Sequence, residues 1–93
     1  MNFLELLNAV AQVAKPAHKD DINIQSMVEK LADADVDSLD TLMLVMYLSI
    51  IYGIPDEASK DFHPVTAEEL LDFIKKHKTK EPASIDQALE EIK

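Results

Sequence analysis

Apolar residues recur with helical spacing near both ends of this chain and lose that spacing in the middle. Phe3, Leu6, Leu7, Val10 and Val13 fall on one face of a helix over residues 3–14. Pro16 stops it, because a proline ring cannot continue the backbone ladder. Residues from Lys15 to about Gln25 read as a polar loop closed by Ile22 and Ile24. Met27, Val28 and Leu31 predict a helical turn inside this connection. The next helix runs from Ser38 to Tyr52 and stops at Gly53, a residue suited to a left-handed helix end. Leu39, Leu44, Leu48 and Tyr52 are its expected core positions, while Met43, Met46, Tyr47 and Ile50 lie on other sides. A helix apolar nearly all round is either central in a bundle or presents an adhesive face.

Ile54-Pro55-Asp56-Glu57 begins a short helical piece. Thr66-Ala67-Glu68-Glu69 has capping-box spacing, a hydroxyl followed three residues later by a carboxylate. Leu70, Leu71, Phe73 and Ile74 then line a helix to about Lys76. Lys75, Lys76 and Lys78 suit its negative terminus. Thr79-Lys80-Glu81-Pro82 reads as a linker, and Ser84-Ile85-Asp86-Gln87 is a second capping-box pattern. Ile85, Ala88, Leu89 and Ile92 predict a short closing amphipathic helix. The expected organisation is an all-α domain over residues 1–77, with a linker and short helix over 78–93. One glycine in 93 residues argues against hairpins, which need turn glycines.

Charge and chemistry change the picture at three points. The net charge is −9 and arginine is absent, which disfavours binding to nucleic acid or phospholipid head groups. No lysine occurs from Leu31 to Ser59, so that stretch suits basic partners or serves solubility alone. No cysteine is present, which excludes disulfides, thiolate metal sites and cysteine nucleophiles. Any thiol chemistry must come from an attached group. The longest apolar run, Leu42 to Leu48, is too short to span a bilayer, so membrane insertion is not expected. Without a cationic leader at Met1-Asn2-Phe3, a cytoplasmic protein is the expectation.

Candidate sites are few. Asp33, Asp35 and Asp37 alternate like the first ligands of an EF-hand loop. The glycine that loop needs is Ser38, and its bidentate glutamate falls on Leu44, so no metal site is assigned. A calcium-responsive acidic loop is the lesser alternative. His18, His63 and His77 are isolated. No serine sits in a nucleophile elbow and no triad is visible, so the chain does not read as an enzyme.

Ser38 stands where the acidic stretch Asp33–Asp37 meets the apolar helix. Helix N-terminal amides favour an anion there, which suits a phosphate ester. An ordinary N-cap is the structural alternative. At this point the chain resembles the acyl carrier protein family. The match runs through Asp37-Ser38-Leu39-Asp40-Thr41-Leu42, Leu44-Val45-Met46 and Leu48. It continues through Ile54-Pro55-Asp56-Glu57-Ala58, Phe62, Val65 and the helix ending near Phe73-Ile74. With the first helix it covers most of residues 1–77.

The resemblance implies an acyl-carrier-like four-helix bundle, three main helices plus one short, followed here by an extra C-terminal helix. It implies that a phosphopantetheinyl transferase moves 4′-phosphopantetheine from coenzyme A onto Ser38. The arm's thiol would carry acyl groups as thioesters to acyl-transferring, condensing or ligating enzymes, in a specialised lipid, polyketide, surface-lipid or aminoacyl pathway. Asp37 and Asp40 would flank the attachment point, and Leu39, Met43, Met46, Tyr47 and Ile50 would complete a docking face. Leu44, Val45, Leu48, Ile54, Phe62 and Leu70 would line an acyl cleft, with plain core as the alternative for each. An unmodified helical interaction module with the same fold is the second reading.

The chain departs from the family's pattern in several places. Met43, Ser49 and Ile50 stand where glutamates commonly line the second helix. The loop before Ser38 is longer and lacks the customary glycine, and the link from Tyr52 to Pro55 is shorter. The apolar face is expected either to be covered by the last helix through Ile85, Leu89 and Ile92, or to meet a partner, or to self-associate.

Overall fold

The computed structural model describes residues 2–14, 23–34 and 36–92. The expected loop at 15–22, with Pro16, His18 and Ile22, lies outside the described residues, as does Asp35. The described residues form five α-helices and one 3-10 turn, with no strand beyond a single bridge between Lys30 and Thr66. The chain is all-α.

Helix α1 spans Phe3–Ala14 and buries Leu6, Leu7, Val10 and Ala11. Asn2 caps it, accepting from the amides of Leu4 (2.8 Å) and Glu5 (3.3 Å). Asn8 ties the returning chain to this helix. Its Oδ1 accepts from Ile24 N at 2.7 Å, and its Nδ2 donates to Ile24 O at 2.9 Å. Ile24, as a result, enters the core at a fixed register and is buried.

The turn expected at Met27, Val28 and Leu31 forms one step later, as a 3-10 turn at Leu31–Ala34. The backbone before it is engaged elsewhere. Met27 O accepts from Glu68 N (2.8 Å), and Leu31 N donates to Val65 O (2.8 Å). Peptide groups bonded across the molecule are not available to close a local turn.

Helix α2 spans Ser38–Tyr52. It ends in a Schellman arrangement: Ile54 N donates to Ser49 O (2.8 Å) and Gly53 N to Ile50 O (3.4 Å). Gly53 carries φ 63°, the left-handed conformation this motif requires. Ile54 is buried directly after the cap, so the helix stop and a core contact coincide. Helix α3, Asp56–Ser59, is a single turn begun after Pro55.

Helix α4 spans Ala67–His77 and α5 spans Ile85–Glu90. Both are capped as expected, by Thr66 on Glu69 N (3.3 Å) and by Ser84 on Gln87 N (3.2 Å). The return halves of both boxes are displaced by one residue. The Glu69 carboxylate accepts from Val65 N (2.6 Å), and the Gln87 side chain accepts from Ala83 N.

The core joins Leu6, Leu7 and Val10 of α1 to Leu44, Leu48 and Ile51 of α2 and to Leu70 and Ile74 of α4. Ala88 of α5 belongs to the same core and is fully buried. Helix α5 packs on α1. Of the face around Met43, Tyr47 and Ile50, for which covering by this helix was one of the alternatives, Ile50 is left 48% exposed while Met43 and Tyr47 are half-buried. The cause lies in the linker. Thr79 N (2.9 Å) and Lys80 N (3.3 Å) both donate to Tyr52 O, and Thr79 Oγ1 donates to Gly53 O (2.7 Å). These bonds pin the linker at the end of α2, and Lys80 pairs at 2.8 Å with Glu91, the residue that follows α5.

Candidate functional site

Ser38 is the first residue of α2 and is exposed. The N-cap role considered for it belongs to Asp37. Asp37 Oδ1 accepts from Asp40 N (2.9 Å), and Asp40 Oδ2 accepts from Asp37 N (3.3 Å). This is a reciprocal capping box built from two aspartates. Thr41 closes the turn, its amide and hydroxyl both donating to Asp37 O (2.8 Å each). The aspartates on either side of Ser38 therefore build the helix start, and the serine hydroxyl is left out of it. Asp40 is buried at 8% exposure, while Asp37 is exposed.

A groove of about 510 Å³ opens beside Ser38. One wall is the start of α2, with Ser38, Leu39, Thr41 and Leu42. The other is built from Lys30 to Ala32 with Val36, and from Phe62 to Val65. Leu31, Val36 and Pro64 are buried at its base. Leu39, Leu42 and Val65 stand exposed around it, as do Lys30 and His63, which bring the only nitrogen-bearing side chains to its lining.

The groove is not the cleft expected from the sequence. Leu44, Val45, Leu48, Ile54 and Leu70 are in the closed core, none above 5% exposure. Phe62 alone of that set lines the groove. It stacks on Phe73, with ring centroids 4.1 Å apart and planes 10° from parallel. Phe73 in turn meets His77 at 4.9 Å, which places that histidine in an aromatic cluster.

The expected docking residues divide. Leu39, Met46 and Ile50 are exposed, Met43 and Tyr47 are half-buried, and Asp40 is buried. Leu39 was expected in the core with Leu44, Leu48 and Tyr52, yet it is 65% exposed. At ~100° per residue it stands roughly 140° around the helix from Leu44. Leu42, at 49% exposure, continues the same stripe, although the expected docking face omits it. Its spacing with Leu39, Met46 and Ile50 was the available signal. Beyond Thr41 every exposed residue of α2 is apolar. Ser49, expected on that face, is instead buried at 5% exposure, and its hydroxyl has no hydrogen-bond partner among the described residues.

Asp33 is exposed on the 3-10 turn and Asp37 caps α2. Among the described residues no group of three or more His, Cys, Asp or Glu is placed to hold a metal ion. Nor is any helix of the described residues long and apolar enough to cross a membrane.

Burial at the end of α2 holds the Tyr52 phenol above the ordinary tyrosine pKa, and the nearby Glu81 carboxylate adds to the shift. Both effects disfavour the phenolate.

No protein-family model, curated protein or solved structure matches this chain.

Proposed function

We propose that this chain is a carrier protein with an acyl-carrier-like bundle, holding acyl or related groups on 4′-phosphopantetheine attached to Ser38. The observation that carries this reading is the division of labour at the start of α2. Asp37 and Asp40 cap the helix, so Ser38 is exposed and outside the capping box, at the mouth of an apolar groove. A serine needed as a cap could not be esterified without loss of the helix start. This one can.

The residues present fit the group. Its phosphodiester is an anion, and the first turn of α2 offers helix N-terminal dipole. Lys30 and His63 line the same groove and supply donors opposite Ser38. The Asp37 carboxylate opposes the anion, and its engagement with Asp40 N moderates that opposition. When bound, the arm would supply the thiol that this cysteine-free chain lacks. Leu31, Val36, Leu39 and Leu42 would shelter apolar parts of the arm or its cargo from water. Bond-making would lie with partner enzymes, a phosphopantetheinyl transferase first, then acyl-transferring, condensing or ligating enzymes.

Coexpression with a phosphopantetheinyl transferase tests the reading by intact mass. A gain equal to the arm, absent in Ser38→Ala, is the expected result. No gain, with a transferase that modifies a control carrier in the same cells, would sink it. The apolar face of α2 then favours the second reading, an unmodified helical interaction module.

A further inference from the structure

We infer that Lys30 and His63 latch the phosphodiester of a group esterified at Ser38, so that the arm lies across the groove instead of entering the bundle. The inference rests on the carrier reading. Both side chains are exposed on the wall that faces the start of α2. Neither side chain has an ion pair or hydrogen bond among the described residues. Main-chain bonds bring them together. Lys30 bridges to Thr66, and Leu31 N donates to Val65 O at 2.8 Å, which sets the two segments side by side. Pro64, buried at the base, fixes the backbone next to His63.

Charge selects the occupant. The chain carries −9, which repels a free anion. An anion tied to Ser38 does not have to approach from solution, because a short tether holds it near its site at about millimolar effective concentration. Beside the serine, the exposed Asp37 carboxylate repels it. Across the groove stand an ammonium and an imidazole N–H, and the imidazole is a donor in either protonation state.

Shape agrees with charge. The groove, about 510 Å³, falls within the ~300–1,000 Å³ range of small-molecule sites. The path into the bundle is shut, since Leu44, Val45, Leu48 and Leu70 are buried in the core. Leu31 and Val36 floor the groove, so apolar parts of the arm rest on carbon while Lys30 and His63 take the phosphate.

The test uses the isotope-labelled full chain. Intact mass first establishes that Ser38 carries the arm, and backbone amide resonances are then compared with those of Ser38→Ala. Modification should move the amides of Leu31, Ala32, His63 and Val65, on the wall opposite the attachment point. Lys30→Gln with His63→Gln should cut those shifts at least twofold, with an unchanged far-ultraviolet spectrum and with the shifts at Leu39 and Thr41 kept. Lys30→Arg should preserve them, because the cation remains. Salt at ~1 M, where the Debye length is ~3 Å, should weaken the far-wall shifts alone. Inorganic phosphate, the free source of the same chemistry, should reach this wall of Ser38→Ala only at about millimolar levels or above. Saturation at micromolar levels would mark a site for a free ion and overturn the proposal. A mass gain with an unmoved far wall would also overturn it and leave the carrier reading standing, as would a double variant that shifts like its parent. No mass gain, with a competent transferase, would remove the carrier reading and the latch with it.

Discussion

Gly53→Ala should be among the costlier single-methyl additions to this molecule. Two effects act together. The glycine sits at φ 63°, where an alanine costs about 1–2 kcal/mol. A Cβ there would also strike Thr79 Oγ1 and come within 3.2 Å of Lys80 Cγ. The threonine can escape by rotating, but its hydroxyl then loses Gly53 O, a bond worth roughly 0.5–1.5 kcal/mol net. The reduced freedom of the unfolded chain returns at most ~1 kcal/mol. The net loss is about 2 kcal/mol, which lowers the melting temperature of a domain this size by roughly 8–16 °C. A double-mutant cycle in urea isolates the clash. Thr79→Ala should cost about 1 kcal/mol in the parent chain and close to nothing beside Gly53→Ala, whose threonine has already lost its bond. Equal costs in both backgrounds would refute the account of how the linker meets the end of α2.

Two further outcomes follow from the same structure. Asp37→Ala removes the cap of α2 and should cost about 1 kcal/mol in denaturant unfolding, whereas Ser38→Ala should stay within ~0.5 kcal/mol of the parent; the reverse order would return the cap to the serine. The raised pKa of Tyr52 favours its neutral form in the folded state. Its contribution is therefore fully present below the unfolded value of about 10 and is lost as pH rises through the higher folded value. Tyr52→Phe should accordingly flatten the alkaline fall in melting temperature, and parallel curves for the two proteins would exclude Tyr52 as a cause.

The ends of the molecule were legible because each helix there has one wet face. Leu6, Leu7 and Val10, or Leu70 and Ile74, alternate with polar residues at the helical period, and that period is what sequence reveals. Helix α2 was legible in extent but not in orientation. Its start and its stop at Gly53 are written in caps, yet its exposed and buried arcs are both apolar. With no polar face to break the tie, Leu39 reads as core and Ser49 as surface, the opposite of where they lie. The groove was illegible for a different reason. It joins Lys30–Val36 to Phe62–Val65 through peptide bonds such as Leu31 N to Val65 O, and no side-chain pattern encodes those. The charge-free stripe of α2, by contrast, follows from residue identity alone once its exposed side is known.

The two backbone straps that shift the 3-10 turn, Met27 O to Glu68 N and Leu31 N to Val65 O, have a mechanical consequence. They rivet one wall of the groove to the head of α4, while the other wall is α2 itself. Widening the gap means tilting one helix against another, as a book opens at its spine, rather than lifting a flap of loop. Breadth at Ser38 is thus governed by the seating of α4 in the bundle. A side chain trimmed deep between those helices would retune what fits beside the serine without touching it.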